Sequence, residues 1–327
     1  MKESLVLAIN MTTVVTELSR HLALSGINLH LVDIENVMID SSHSESDFLF
    51  APNDIGKLRV QVVAEKLREM NPYVKITHET ERTLKDLLEI RDLQSLFNGQ
   101  KYSAIVSGFT RFSDSKVLNS MARDVQTPFY SLNSCGLNGF FFADICHEFT
   151  YTTKNKQTNE DEIHTITKSV SLDKFIANFS AQDRKLSNVP IRKTSAQAAF
   201  LFYTIMSLAL QEQTQSPQPV ASDDQMMIDQ NPENVSEGQR KDSEFDKVCQ
   251  ILIEKGVGSK IIKSQEFRET YDRVQKCFNV EFSPSCSLIG AIVSQEIVKV
   301  ITQRDHPGYG MYVYDSVTQQ CTQQLVE

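Results

Sequence analysis

What this 327-residue sequence lacks narrows it first. Residues 8–13, Ala-Ile-Asn-Met-Thr-Thr, join a strand-like run to a helix-like one without a glycine. A G-x-G-x-x-G turn uses glycine to reach positive φ and to let phosphates approach the helix N-terminus, so a nucleotide seat of that kind is not expected here. Cationic side chains are in deficit: 33 Lys and Arg against 42 Asp and Glu leave a net charge of −9. That balance argues against nucleic acid as the primary ligand, because phosphate binding needs a basic face. The six cysteines, at 135, 146, 249, 277, 286 and 321, form no C-x-x-C pair, and the seven histidines show no H-x-x-x-H spacing. A zinc ribbon is therefore excluded, reduced thiols are expected, and a metal site would need ligands that converge from far apart. No secretory signal is read at the start. The longest apolar stretch, 196–210, is too short and too interrupted to span a bilayer comfortably.

What is present reads as a globular α/β chain with 40% hydrophobic residues. Residues 4–9 are a buried-strand pattern, 11–25 a helix closed by Gly26, and 27–33 a second strand ending in Asp33. An acidic residue about 20 positions after the turn is where a dinucleotide-binding Rossmann unit carries its ribose ligand. Further alternation follows: helix 57–69, strand 74–78, helix 83–97, strand 103–107, helix 114–123 and strand 128–132, then two strands at 140–145 and 147–152. Such alternation predicts a Rossmann-like, mainly parallel sheet with right-handed crossovers and helices on both faces. Residues 153–165 read as a polar connection, 195–211 as an apolar helix, 212–243 as a disordered loop and 244–255 as a helix. A helix at 287–304 and a strand at 311–315 close the sheet. The resulting division is 1–152 as the first part of the Rossmann-like domain, 153–280 as a mostly helical insert, and 281–327 as the closing helix and strand.

Several segments in order carry a family resemblance. Ser46-Asp47-Phe48-Leu49-Phe50, Asp54-Ile55-Gly56, Arg59 and Asn71-Pro72 come first; Ile289–Lys299, Gln303-Arg304-Asp305-His306-Pro307 and Tyr312-Val313-Tyr314-Asp315 come near the end. Together they resemble the adenylation fold of ThiF-type enzymes that activate ubiquitin-like proteins, and are most similar to the smaller, Aos-type subunits of SUMO-activating enzymes. In active members the first segment reads N-R-Q-F-L-F, with Asn and Arg on the ATP, and a Lys stands at the place of Arg59.

The departures from that active pattern share a direction. Asp47 brings a negative charge to a polyphosphate, the glycine turn is gone, and Gly108-Phe109-Thr110-Arg111 replaces the segment that supplies an Asp to Mg²⁺. Phosphoryl chemistry needs cations and backbone amides around the phosphates. The resemblance therefore implies a pseudo-adenylation subunit, inactive alone and with no catalytic residue, cofactor or metal of its own. It would pair obligately with a catalytic subunit that binds ATP and Mg²⁺, adenylates the SUMO C-terminus and carries the thioester cysteine, and it would reside in the nucleus. The small subunits also carry an N-terminal helix with a basic residue that reaches the partner's ATP. Met1 lies three residues ahead of the first strand, and truncation is the expected cause. The corresponding subunit of the NEDD8-activating enzyme, an autonomous Rossmann enzyme and a free-standing binding module are the alternatives.

Residue by residue, the expectations are modest. Asp33 and Glu35 could hold a ribose hydroxyl, but solvated strand-end carboxylates are favoured. Arg59 could meet a phosphate of the partner's nucleotide or be an ordinary exposed arginine, and both stay open. Lys57 and Arg68 read as solvated helix charges. Cys135 reads as a small buried residue in a tight turn and Cys286 as a packed one, since no local feature lowers either thiol pKa. Phe200 and Phe202 on helix 195–211, with Gly290 and Ala291 on helix 287–303, are the candidate intersubunit residues.

Overall fold

The computed structural model describes residues 3–93, 99–146, 148–155, 158, 160–167, 169–180, 196–214, 237–278 and 280–325. The first half alternates strand and helix: β1 (Leu5–Ile9), α1 (Thr13–Leu24), β2 (Asn28–Val32), the short α2 (Ser41–Ser46), a 3-10 turn at Pro52–Asp54, α3 (Arg59–Met70), β3 (Ile76–His78), α4 (Leu84–Ile90), β4 (Ala104–Gly108), α5 (Phe112–Asp124) and β5 (Phe129–Cys135). Next come β6 (Asn138–Asp144), β7 (Phe149–Lys154), β8 (Asp161–Ile166) and the helices α6 (Leu172–Ala177), α7 (Ala196–Thr214), α8 (Glu237–Glu254), α9 (Ser259–Ile262) and α10 (Gln265–Cys277). The closing elements are α11 (Ser283–Thr302), β9 (Gly310–Asp315) and β10 (Gln320–Gln324).

The main sheet has the order β10-β9-β6-β5-β4-β1-β2-β3. β3, β2, β1, β4 and β5 run parallel, whereas β6, β9 and β10 pair antiparallel. The expected α/β fold with a mainly parallel sheet is thus what the chain adopts. Successive side chains of a strand point to opposite faces, and β1 shows this with both faces covered. Leu7 and Ile9 join α4, α5 and the helices α6 to α8 and α10 in one core, while Val6 and Ala8 join α1, α3 and α11 in the other. Phe200 and Phe202 of α7 belong to the first of these, so the helical insert packs directly on the sheet.

The second layer depends on one close approach. A Cβ on Gly290 of α11 would lie 2.8 Å from the backbone nitrogen of Leu18 in α1, so the missing side chain lets the two helix backbones meet. α11 is also long and apolar enough to cross a membrane by length and composition. Its residues Ile289, Val293 and Ile297 are buried against α1 and the sheet.

Four local expectations are corrected. Residues 161–166, read as polar connection, form β8 on β7, because Tyr151, Ile166 and Phe149 gain a shared apolar cluster with Val300 only after the hairpin docks. Helix 83–97 stops at Ile90, where Arg91 takes a left-handed conformation with φ 55°; residues 94–98 lie outside the described residues. The helix expected from 244 begins at Glu237, and α7 runs on to Thr214, so of the loop read at 212–243 the stretch 215–236 lies outside the described residues. The strands expected at 140–145 and 147–152 are present as β6 and β7 but do not pair with each other: β6 forms a hairpin with β5 that turns at Gly136-Leu137, and β7 lies in the small second sheet.

Candidate functional site: the carboxyl edge of the sheet

The chain leaves β1 toward β2 and β3 on one side of the sheet and returns through β4 and β5 on the other, so the topological switch point lies between β1 and β4. In open α/β sheets ligands enter outside the strand carboxyl ends at that point. The β1–α1 turn there keeps its shape without glycine. Asn10 adopts φ 62°, which asparagine tolerates better than most residues because its short polar side chain bonds locally. Its amide donates to Val32 O at 2.8 Å and its side-chain Nδ2 to Gly108 O at 3.3 Å. Gly108 is required by closeness: a Cβ there would come 2.6 Å from Thr12 Oγ1 and 2.7 Å from Asn10 O.

Asp33 and Arg59 are brought together, and neither is solvated. Asp33 is 3% exposed and Arg59 7%. Arg59 donates from Nε to Asp33 Oδ2 at 2.9 Å and from Nη2 to Oδ1 at 2.6 Å. Nη2 also reaches Asn10 Oδ1 at 3.3 Å, and Asp33 Oδ1 accepts from the amides of Met11 and Ile34. The favoured reading of Asp33 as a solvated carboxylate is corrected, and of the two open readings of Arg59 the exposed arginine is ruled out by its burial. Burial makes each charge depend on the other, and the pair consumes the groups a ribose or phosphate would use. Glu35 is exposed as expected. Lys57 pairs with Asp54 at 2.8 Å, and Arg68 is a half-buried donor to the carbonyl of Ile76.

The start of α1 is occupied as well. Thr13 donates its amide to Glu281 Oε1 at 2.9 Å and its hydroxyl to Glu281 Oε2. Across the switch point, Glu212 of α7 accepts from the amides of Phe112 and Ser113 at 3.0 and 2.9 Å and from the Ser113 hydroxyl at 2.7 Å. Between them lies a cavity of about 360 Å³ lined by Thr12, Ile34, Phe109, Thr110, Arg111, Asp114, Asn133 and Glu281. Its cation, Arg111, lies 3.5 Å from Asp114. No local sequence signal announces Glu281 or Glu212, because each acts on a helix far away in the chain. Asn10 could have been found, since asparagine is the residue best able to stand in for glycine at positive φ.

Asp47 is buried, with one carboxylate oxygen accepting from Leu49 N at 2.8 Å and the other unpartnered. Burial, aided by Glu17 and Glu281, pushes its carboxyl up to about 7. Burial pushes the Cys286 and Cys321 thiols up to about 12, away from activation, and Cys135 is a buried residue at the β5–β6 turn. Among the described residues no cluster of three His, Cys, Asp or Glu suits a metal ion.

The candidate intersubunit residues divide. Phe200 and Phe202 are buried in the core and offer no surface. Gly290 is spent on the α1–α11 contact. Ala291 borders an open groove of about 930 Å³ with Phe48, Leu288, Ile292 and Tyr314, and Phe48 is 83% exposed beside it.

The profile of the ThiF family matches residues 13–326. The chain belongs to the ThiF family. Among its relatives, SUMO-activating enzyme subunit 1 of Dictyostelium discoideum is 24% identical over 318 residues, covering 97% of this chain and 85% of that protein. DNA damage tolerance protein rad31 of Schizosaccharomyces pombe is 24% identical over 317 residues, covering 97% and 88%. SUMO-activating enzyme subunit 1 of Mus musculus is 24% identical over 346 residues, covering 97% and 86%. A crystal structure of selenomethionyl PaaA superposes with a TM-score of 0.53 at 14% identity, over 99% of this chain and 73% of that one; it supports the fold alone. For a ThiF-family chain, the departures lie where the family would meet a nucleotide: a turn held by Asn10, a sealed Asp33–Arg59 pair and a carboxylate on α1.

Proposed function

We propose that this chain is the non-catalytic, smaller subunit of a SUMO-activating enzyme. It pairs with a catalytic subunit that binds ATP and Mg²⁺, adenylates the SUMO C-terminus and forms the thioester on its own cysteine. The chain contributes by completing and stabilising the partner's adenylation site, and it acts in the nucleus. The observation that carries this reading is Glu281 on the first turn of α1. A carboxylate there repels the phosphates that a catalytic ThiF-type site must hold, as phosphoryl transfer depends on cations and free amides around them. End-to-end similarity to proteins named SUMO-activating enzyme subunit 1 supports the choice of modifier over NEDD8. The raised thiols of Cys286 and Cys321 suit neither for a thioester, since a nucleophilic thiol needs a lowered pKa.

The experiment is a thioester assay with the catalytic subunit, ATP, Mg²⁺ and SUMO, with and without this chain. Thioester formation that depends on this chain is the expected result. A chain that never co-purifies with the catalytic subunit, and that binds ATP alone, would overturn the proposal in favour of an autonomous Rossmann enzyme.

A further inference from the structure

Helix N-termini attract anions because the first-turn amides lack intrahelical acceptors and the helix dipole is positive there. α1 has no local cap: Thr12 makes no capping hydrogen bond, and its hydroxyl is enclosed without a partner at the edge of the 360 Å³ cavity. A Ser, Thr or Asp at that position usually supplies the cap itself. Here the anion arrives from a residue 268 positions away.

Glu281 is delivered by residues 280–282, which cross the carboxyl edge as a strap ahead of α11. Val280 O accepts from Gly136 N at 2.9 Å and from Ser134 Oγ at 3.3 Å, and Ser285 Oγ donates to Gly136 O. The strap is thus anchored on the β5–β6 hairpin, and its carboxylate reaches over the switch point to α1. Meanwhile Asn10 still holds the left-handed turn that a phosphate-binding loop requires. The turn geometry survives the loss of glycine. What stands in the seat is the carboxylate.

We propose that the 280–282 strap is an autoinhibitory contact in which Glu281 is the built-in occupant of the α1 anion seat and closes this chain's cleft to polyphosphates. The inference rests on the reading that this subunit uses no nucleotide of its own, and it supplies the cause of that state. Glu212 occupies the start of α5 in the same manner, and the cavity itself presents an incoming polyphosphate with the carboxylates of Glu281 and Asp114 against the cation of Arg111.

The test is hydrogen exchange read peptide by peptide on the full chain, so that nucleotide on a partner subunit does not interfere. The probes are tripolyphosphate and ATP. In the wild-type chain residues 11–17 are protected, and neither probe alters them. Glu281→Ala raises exchange at the Thr13 amide within this stretch by about tenfold, the loss of its hydrogen bond to a charged group, and tripolyphosphate reverses the rise. Glu281→Gln keeps the shape and removes the charge, so tripolyphosphate displaces the side chain and again slows exchange at 11–17. Glu212→Ala changes exchange at 112–115 and leaves α1 unaffected. If both Glu281 variants melt as cooperatively as wild type and tripolyphosphate leaves 11–17 unchanged, the autoinhibitory contact is refuted while the subunit reading stands. Protection of 11–17 by ATP in the wild-type chain would instead overturn the nucleotide-free reading and the inference with it.

Discussion

Arg59 grips Asp33 at two points, Nε at 2.9 Å from one carboxylate oxygen and Nη2 at 2.6 Å from the other, with both side chains buried. The pair joins the end of β2 to the first residue of α3, beside the turn where a nucleotide would enter. Truncating one member leaves the other charge buried and alone, at a cost of about 3–5 kcal/mol. Asp33→Asn and Arg59→Met should each show that loss in urea unfolding. The double variant Asp33→Leu with Arg59→Met should recover most of it, because a buried pair replaced by apolar side chains is often neutral.

Asp47 makes stability depend on pH in an unusual direction. Its carboxyl is held near 7 against an ordinary 3.8, by burial first and then by Glu17 and Glu281. The folded chain therefore keeps this proton more tightly than the unfolded chain does. The stabilisation is complete below about pH 4 and is lost as pH rises through about 7. Asp47→Asn removes the dependence, so it should raise the melting temperature by several degrees at pH 8 and change it little at pH 4. Thermal melts at the two pH values check this; an equal shift at both would contradict it.

Gly290 is predicted to tolerate no side chain. Even the methyl group of Gly290→Ala would meet the Leu18 backbone nitrogen at 2.8 Å, and backbone cannot step aside as a flexible side chain can. Overpacking of this kind costs about 1–3 kcal/mol. Chemical denaturation should show a lower midpoint with an unchanged slope.

The groove beside Ala291 is the surface predicted to meet the catalytic subunit. Phe48 is largely exposed and Leu288 partly so, and little of either contributes to the chain's own core. Phe48→Ser combined with Leu288→Asp should leave the melting temperature of the isolated chain within about 1 °C, since exposed substitutions are usually worth less than 0.5 kcal/mol. Co-purification with the catalytic subunit should fall sharply. Retained co-purification would move the interface elsewhere.

Much of the frame is legible in the chain alone. The unbroken apolar run Val6–Ile9, the stripe Val60, Val63, Ala64 and Leu67, and the face Ile289, Val293, Ile297, Val300 and Ile301 each mark a surface to be covered, and all but the half-buried Ile301 are buried. These signals are local, and burial follows from them whatever the partner element is. The site was less legible. Phe200 and Phe202 read as surface because a helix apolar all round does not reveal which neighbour covers it, and the sheet covers it here.

Local pattern determined the parallel strands β1 to β5 and the helices α1, α3 and α11 that cover them, and the sequence itself shows the β1–α1 turn without glycine. Only the tertiary structure decided what fills that turn. Asp33 meets Arg59 across 26 positions and Thr13 meets Glu281 across 268. Hydrogen bonds and ion pairs act over a few ångströms, so such partners are chosen by the path of the chain through the fold. β8 belongs to the same class: residues 161–166 look like solvated loop until Phe149, Tyr151 and Ile166 close on Val300, because apolar area counts only once something is present to bury it.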